Sequence, residues 1–287
     1  MIRTLKESLT ARLSAYYDIR EAEVISRILL EHAFGAPYAV LSVSSAKDRV
    51  FERFKEKKVL VESWLTRLLA HEPIQYILEE AYFFRDVLTV RHGVLIPRPE
   101  TEYLIELIAR DPEVGTPRAA LDLGTGSGAI AIALARCFPD AEVDAVDVST
   151  EALEVAELNV RKLGLEERVE VSRYDLLSGE SLPRNEGYDL FVSNPPYILP
   201  SERKWMHPHV LEQEPEVALF VPEEDPLLFY RIIMTLGKDS LHVGGHIFFE
   251  CNPYYIHSIL ELGTEEGYDA SPLYDQYGRG RFVKLRK

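Results

Sequence analysis

The strongest constraint on the fold is an alternation that begins near residue 118. Apolar runs with strand character at 119–123, 141–146, 169–172, 188–192 and 246–250 are separated by helical patterns near 128–137, 150–163 and 225–238. Strands joined through helices pair in parallel, and a parallel sheet must be covered on both faces. The last stretch, 267–287, reads as two strands around the turn Asp275-Gln276-Tyr277-Gly278. The expectation is an α/β fold whose mostly parallel sheet ends in an antiparallel hairpin.

Upstream the periodicity changes. Val24, Ile25, Ile28, Leu29 and Ala33 mark a helix over 21–35, with Gly35 as its stop. Phe51, Phe54, Val61, Trp64, Leu65, Leu68 and Leu69 mark a second helix from about 50 to 69, and residues 2–16 carry a third. Residues 1–72 therefore read as a small helical bundle with apolar faces turned inward. In 73–99, β-branched and aromatic residues are interrupted by turn formers, which suggests a hairpin linker. Pro97-Arg98-Pro99 then opens a helix through Tyr103-Leu104-Ile105, at the head of a second domain over 100–287.

With 287 residues, the chain can bury a full core without a disulfide or metal staple. No run of 18 apolar residues suggests a transmembrane helix, and the start, Met1-Ile2-Arg3-Thr4-Leu5-Lys6-Glu7, lacks the apolar core of a signal peptide. The two cysteines, Cys137 and Cys251, suit a reducing cytoplasm and read as small apolar residues. His207-Pro208-His209 lacks a third ligand at useful spacing, so no metal is expected. Charge is uneven: residues 1–85 carry a net +1 and the remainder a net −16. That acidic portion disfavours a phosphate backbone and suits a basic protein or a cationic small molecule. A soluble, cytoplasmic monomer follows as the expectation.

Asp122-Leu123-Gly124-Thr125-Gly126-Ser127-Gly128 sits where the first strand of the alternation meets its helix. Glycines permit the tight turn and close approach to a ligand. Asp147 ends the next strand, where a carboxylate can accept from both hydroxyls of a ribose. Together these mark a nucleoside crevice. The loop also satisfies the permissive dinucleotide pattern, so a nicotinamide cofactor and S-adenosylmethionine (SAM) both stay open on this motif, which leans toward SAM.

Ser193-Asn194-Pro195-Pro196-Tyr197 follows the strand at 188–192, beside that crevice. A planar amide or aromatic amine has a delocalised lone pair and is a poor nucleophile. Two acceptors, the Asn194 side-chain oxygen and the Pro195 carbonyl, can take its N–H groups and align the nitrogen with an electrophilic methyl. The prolines restrict the backbone, so this geometry is preset, and Tyr197 offers a face for a planar group. A sulfonium loses its charge in the transition state, so alignment matters more than a general base.

These residues together resemble the HemK/PrmC family of protein-(glutamine-N5) methyltransferases over nearly the whole chain. His71-Glu72-Pro73-Ile74 is similar to the family's Glu-Pro-Ile segment, and Ile96-Pro97-Arg98-Pro99-Glu100-Thr101-Glu102 to its most specific signature. Asp122 to Gly128, Asn194 to Tyr197 and Glu214-Pro215 match further segments. Leu176 stands where an aromatic residue is common, and Glu250-Cys251-Asn252-Pro253 lacks the usual glycine. The resemblance implies a SAM-dependent, Rossmann-like, mostly parallel seven-stranded sheet behind a helical partner-binding domain. It implies that Gly124, Thr125, Gly126, Ser127, Gly128, Asp147, Asp175, Leu176 and Asn194 bind SAM. Asn194, Pro195, Pro196 and Tyr197 would hold the substrate, with Asn194, Pro195 and Tyr197 catalytic. That substrate would be the glutamine of the Gly-Gly-Gln loop in a peptide chain release factor.

Rival readings share parts of this pattern. Adenine amino groups in nucleic acid suit Asn-Pro-Pro-Tyr equally well, but would need a flipped base at an acidic surface. A related branch methylates a glutamine in a ribosomal protein. A SAM sensor has no use for two amine acceptors, and a nicotinamide oxidoreductase lacks a placed hydride-transfer partner.

Overall fold

The computed structural model describes residues 1–43 and 52–287. Val50 and Phe51 of the expected stripe lie outside the described residues. The chain divides into two compact units, Met1–Glu79 and Glu80–Lys287.

The first unit contains helices α1 (Ile2–Leu13), α2 (Ile19–Phe34), α3 (Tyr38–Val43), α4 (Phe54–Leu69) and α5 (Ile74–Leu78). Asp18 caps α2 by accepting from the N–H groups of Arg20 and Glu21, at 2.8 and 3.0 Å. Gly35 ends it in the left-handed region, φ 67°. Leu9, Leu13, Leu29, Leu30, Val61 and Leu65 form the core. Val24 is exposed, and Ala22 takes the inner position that the sequence stripe gave it. The unit extends past residue 72 because α5 places Ile77 in the same core.

In the second unit, β1 (Glu80–Phe83) and β2 (Asp86–Thr89) form a separate antiparallel hairpin. Then follow α6 (Pro99–Arg110), β3 (Ala119–Leu123), α7 (Ala129–Cys137), β4 (Glu142–Asp147), α8 (Thr150–Lys162), β5 (Val169–Arg173) and β6 (Tyr188–Ser193). A 3₁₀ turn at Pro200–Trp205 precedes the short helices α9 (Pro208–Gln213) and α10 (Glu216–Leu219). The unit closes with α11 (Leu228–Ser240), β7 (Leu241–Glu250), α12 (Ile256–Glu265), β8 (Asp269–Tyr274) and β9 (Gly280–Arg286).

The seven-stranded sheet runs β5-β4-β3-β6-β7-β9-β8, with β9 alone antiparallel, paired to β7 on one side and β8 on the other. One face is covered by a core that includes Leu104, Ile105 and Ile108 of α6 and Ile130 and Leu134 of α7. The other is covered by Ile233 and Met234 of α11 and Ile259 of α12. From β3 the chain moves outward through β4 to β5, then returns to lay β6 on the other side of β3. That reversal opens a crevice at the carboxyl ends of β3, β4 and β6.

Several elements differ from the sequence reading. Strand β7 begins at Leu241, five residues early, passing through Gly244 and Gly245. A Cβ on Gly245 would lie 3.0 Å from the His242 carbonyl oxygen, so glycine there lets the strand pass close to its neighbours. Helix α12 was not foreseen. Its Gly263 packs against β9, where a Cβ would meet Leu285 at 2.6 Å.

Candidate active site

The glycine loop is built by bonds to the strand next door. The N–H groups of Gly124 and Thr125 both donate to the Val146 carbonyl at 2.9 Å. Gly126 N–H donates to Asp147 Oδ2, and Ser149 N–H to Asp147 Oδ1, each at 2.9 Å. Gly128 N–H closes on Thr125. Gly128 must be glycine twice over: its φ is +81°, and a Cβ would sit 3.3 Å from Ala156 of α8. From α8, Asn159 secures the loop, donating from Nδ2 to the carbonyls of Ser127 and Thr89 at 2.9 Å while its Oδ1 accepts from Thr89 N–H at 2.7 Å.

These bonds bear on the ligand. A dinucleotide pyrophosphate needs unengaged N–H donors at a helix N-terminus. Here the N–H groups of Gly124, Thr125, Gly126 and Gly128 already have acceptors within the protein. The start of α7 holds a carboxylate of its own: Asp122 Oδ2 accepts from Ala131 N–H at 3.0 Å and from the Thr125 hydroxyl at 2.6 Å. Burial lifts the Asp122 carboxyl to about 7 against those two bonds, and its Oδ1 is buried without a partner. These engaged N–H groups leave the glycine loop fewer donors to offer a pyrophosphate.

A cavity of about 300 Å³ lies over the crevice. Gly124, Thr125, Gly126, Ser127, Asp147, Asp175, Leu176, Asn194 and Pro196 line it. An added Cβ on Gly126 meets nothing within 4 Å, and φ there is +56°, so the glycine keeps this wall open. Burial raises the Asp147 carboxyl, while its bonds from Ser149 and Gly126 oppose the rise. Pro195, Tyr197 and Gly128 are not among the lining residues. Gly128 turns toward α8, and Tyr197 packs against the core on the α11 face.

Asn194 follows the end of β6 and faces the cavity. Its Nδ2 donates to Thr101 Oγ1 at 3.2 Å. Among the described residues no protein group takes up its Oδ1. Thr101 in turn donates to Glu250 Oε2 at 2.6 Å, and the Tyr197 hydroxyl donates to Glu250 Oε1 at 3.3 Å. Burial raises the carboxyl of Glu250 above its ordinary range, against the pull of Thr101, Arg281 and Tyr197.

On the other wall, Arg98 forms an ion pair with buried Glu214 at 2.6 Å. Glu214 also accepts from Ile96 N–H at 3.4 Å. The pair ties the segment before α6 to the end of α9. Thr101, Glu250, Arg98 and Asn159 are not singled out by the sequence reading. Arg98 and Thr101 lie in the Ile-Pro-Arg-Pro-Glu-Thr-Glu segment and Glu250 in a segment also compared with the family, and that resemblance is the available signal. Among the described residues no group of three or more His, Cys, Asp or Glu could hold a metal ion, and no helix is long and apolar enough to cross a membrane.

Residues 99–212 match the family model described as "Methyltransferase small domain". A release factor glutamine methyltransferase of Bacteroides thetaiotaomicron is 39% identical over 277 residues, covering 96% of each chain. One of Flavobacterium psychrophilum is 36% identical over 99% of each chain. The chain belongs to the release factor glutamine methyltransferase family. Its fold also matches a crystal structure of a methyltransferase from Pyrococcus furiosus, with TM-score 0.52 and 20% identity, covering 79% of this chain and 98% of that one. Membership in this family accounts for a SAM-type crevice joined to an Asn-Pro-Pro-Tyr segment.

Proposed function

We propose that this chain transfers a methyl group from SAM to the side-chain amide nitrogen of the glutamine in the Gly-Gly-Gln loop of a peptide chain release factor. The observation that carries this reading is Asn194 at the cavity wall, its NH₂ engaged by Thr101 and its oxygen without a partner among the described residues. SAM supplies an electrophilic methyl on a sulfonium. Gly124, Thr125, Gly126 and Ser127 would hold its amino-acid end, Asp147 its ribose, and Asp175 and Leu176 the adenine.

Asn194 Oδ1 at the cavity wall and the carbonyl of Pro195, which follows it in the chain without lining the cavity, would accept the two N–H bonds of the glutamine amide. The nitrogen lone pair is thereby directed at the methyl carbon, and the amide is polarised as the bond forms. As the N–CH₃ bond forms, the S–CH₃ bond would break to leave S-adenosylhomocysteine, and one N–H proton, acidic only once nitrogen gains the methyl, would pass to water, so no strong base is needed beforehand. Tyr197 shapes the pocket from behind, through its contact with Glu250. A protein substrate fits the net charge of −16 beyond residue 85 better than a nucleic acid does. The helical unit would grip the partner, and the enzyme would act as a cytoplasmic monomer without a metal.

The test is Asn194→Ala. It should leave the SAM dissociation constant within about twofold and lower kcat roughly 100-fold or more, as for loss of a positioned acceptor. Weakened SAM binding with unchanged turnover at saturation would overturn the role given to Asn194.

A further inference from the structure

The two ends of an asparagine amide are nearly alike in shape, so nothing in Asn194 itself decides which end meets the substrate. The surrounding bonds decide it. Strands β6 and β7 are parallel with Ser193 beside Phe249, which carries the next residues, Asn194 and Glu250, to the same end of the sheet. Thr101, in the first turn of α6, links them. Thr101 is 4% exposed and Glu250 1%, so water does not compete for these bonds.

In its ionised form Glu250 only accepts hydrogen bonds, and it then takes the single proton of Thr101 on one oxygen and the proton of Tyr197 on the other. The remaining lone pairs of Thr101 can meet only a donor, and the NH₂ of Asn194 is that donor. We propose that Thr101 and Glu250 are positioning residues that hold the Asn194 amide oxygen-outward and so make the site select an amide over a carboxylate. This rests on the reading of Asn194 as an acceptor for glutamine. A glutamate side chain offers only acceptors, which would oppose both Asn194 Oδ1 and the Pro195 carbonyl. A flipped Asn194 would instead present NH₂, repelling the amide NH₂ of glutamine and welcoming the carboxylate.

The experiment uses the full chain and a release factor carrying either Gln or Glu in its Gly-Gly-Gln loop. Binding of each is measured by calorimetry with S-adenosylhomocysteine present, beside kcat and KM for the Gln form. The wild type should prefer Gln by about tenfold or more. Thr101→Val, which keeps the shape and removes the hydroxyl, should bring that preference close to unity and lower kcat roughly 10- to 100-fold, with SAM affinity unchanged. Thr101→Ser should restore both. Glu250→Gln should follow Thr101→Val, because an amide can donate to Thr101 and reverse the chain of bonds, and it carries the test if Thr101→Val does not fold. Retained preference in Thr101→Val or Glu250→Gln, or no rescue by Thr101→Ser, refutes the proposal. A wild type that binds both forms equally overturns the reading of Asn194 itself.

Discussion

At the scale of single residues, the site is a set of carboxylates and amides whose surroundings fix what each can do. Asp147 has one oxygen held by Gly126 N–H and the other by Ser149 N–H, yet still faces the cavity. Each oxygen keeps a second lone pair for a ribose hydroxyl. Asp147→Ala should weaken SAM binding about tenfold or more, by loss of charge-assisted bonds, with a smaller effect on kcat at saturation. An unchanged dissociation constant, read by calorimetry, would refute the ribose assignment. Asp122 behaves differently. Its carboxyl sits at about 7 in the folded protein against an ordinary 3.8. Between those values the unfolded chain holds the ionised form while the folded chain holds the neutral one. This group therefore makes the folded state less stable as pH rises from about 4 to about 7. Asp122→Asn should flatten that part of the profile, and melting curves of the ligand-free protein across this range check it. A parallel profile for the variant would count against the burial argument. The sequence placed Asp122, Asp147 and Asn194 by motif. It could not show that Thr101 and Glu250 bond to one another, since 149 positions separate them.

At the scale of elements, what positions the site is the attachment of loops to helices. Asn159 of α8 holds Ser127 of the glycine loop and Thr89 of the hairpin through three bonds. Asn159→Leu leaves the N–H and carbonyl of Thr89 and the Ser127 carbonyl without partners. It should cost about 2–4 kcal/mol of stability, with SAM binding weakened beyond what thermal unfolding explains. Urea unfolding with and without SAM measures both effects, and a neutral result would show that the loop holds its shape unaided. Elements with strong periodicity were legible: β3 falls at 119–123 and α7 within one residue of expectation. Helix α12 was not, because Gly263 lowers its helical signal and the reason for that glycine, contact with Leu285 of β9, is tertiary. Helix α5 was missed for a related reason. Only five residues long, it is held by the burial of Tyr76 and Ile77 rather than by propensity.

At the scale of the whole molecule, two cores divide the labour. The unit from Glu80 carries the sheet, the cavity and the residues assigned to chemistry. The unit from Met1 to Glu79 is a helical bundle with its own core. Binding energy from parts remote from the reacting atoms can be used to seat a macromolecular substrate. Removing residues 1–79 should therefore raise KM for an intact release factor about tenfold or more, while a short Gly-Gly-Gln peptide is methylated as before. Equal loss with both substrates would argue that the bundle serves stability alone. The product is read by mass spectrometry on a release factor incubated with this protein and SAM, with Asn194→Ala as the control. The expected result is a one-methyl gain on the glutamine of the Gly-Gly-Gln peptide, absent in the control. An unmodified glutamine, under conditions where SAM binding is independently measured, would contradict it.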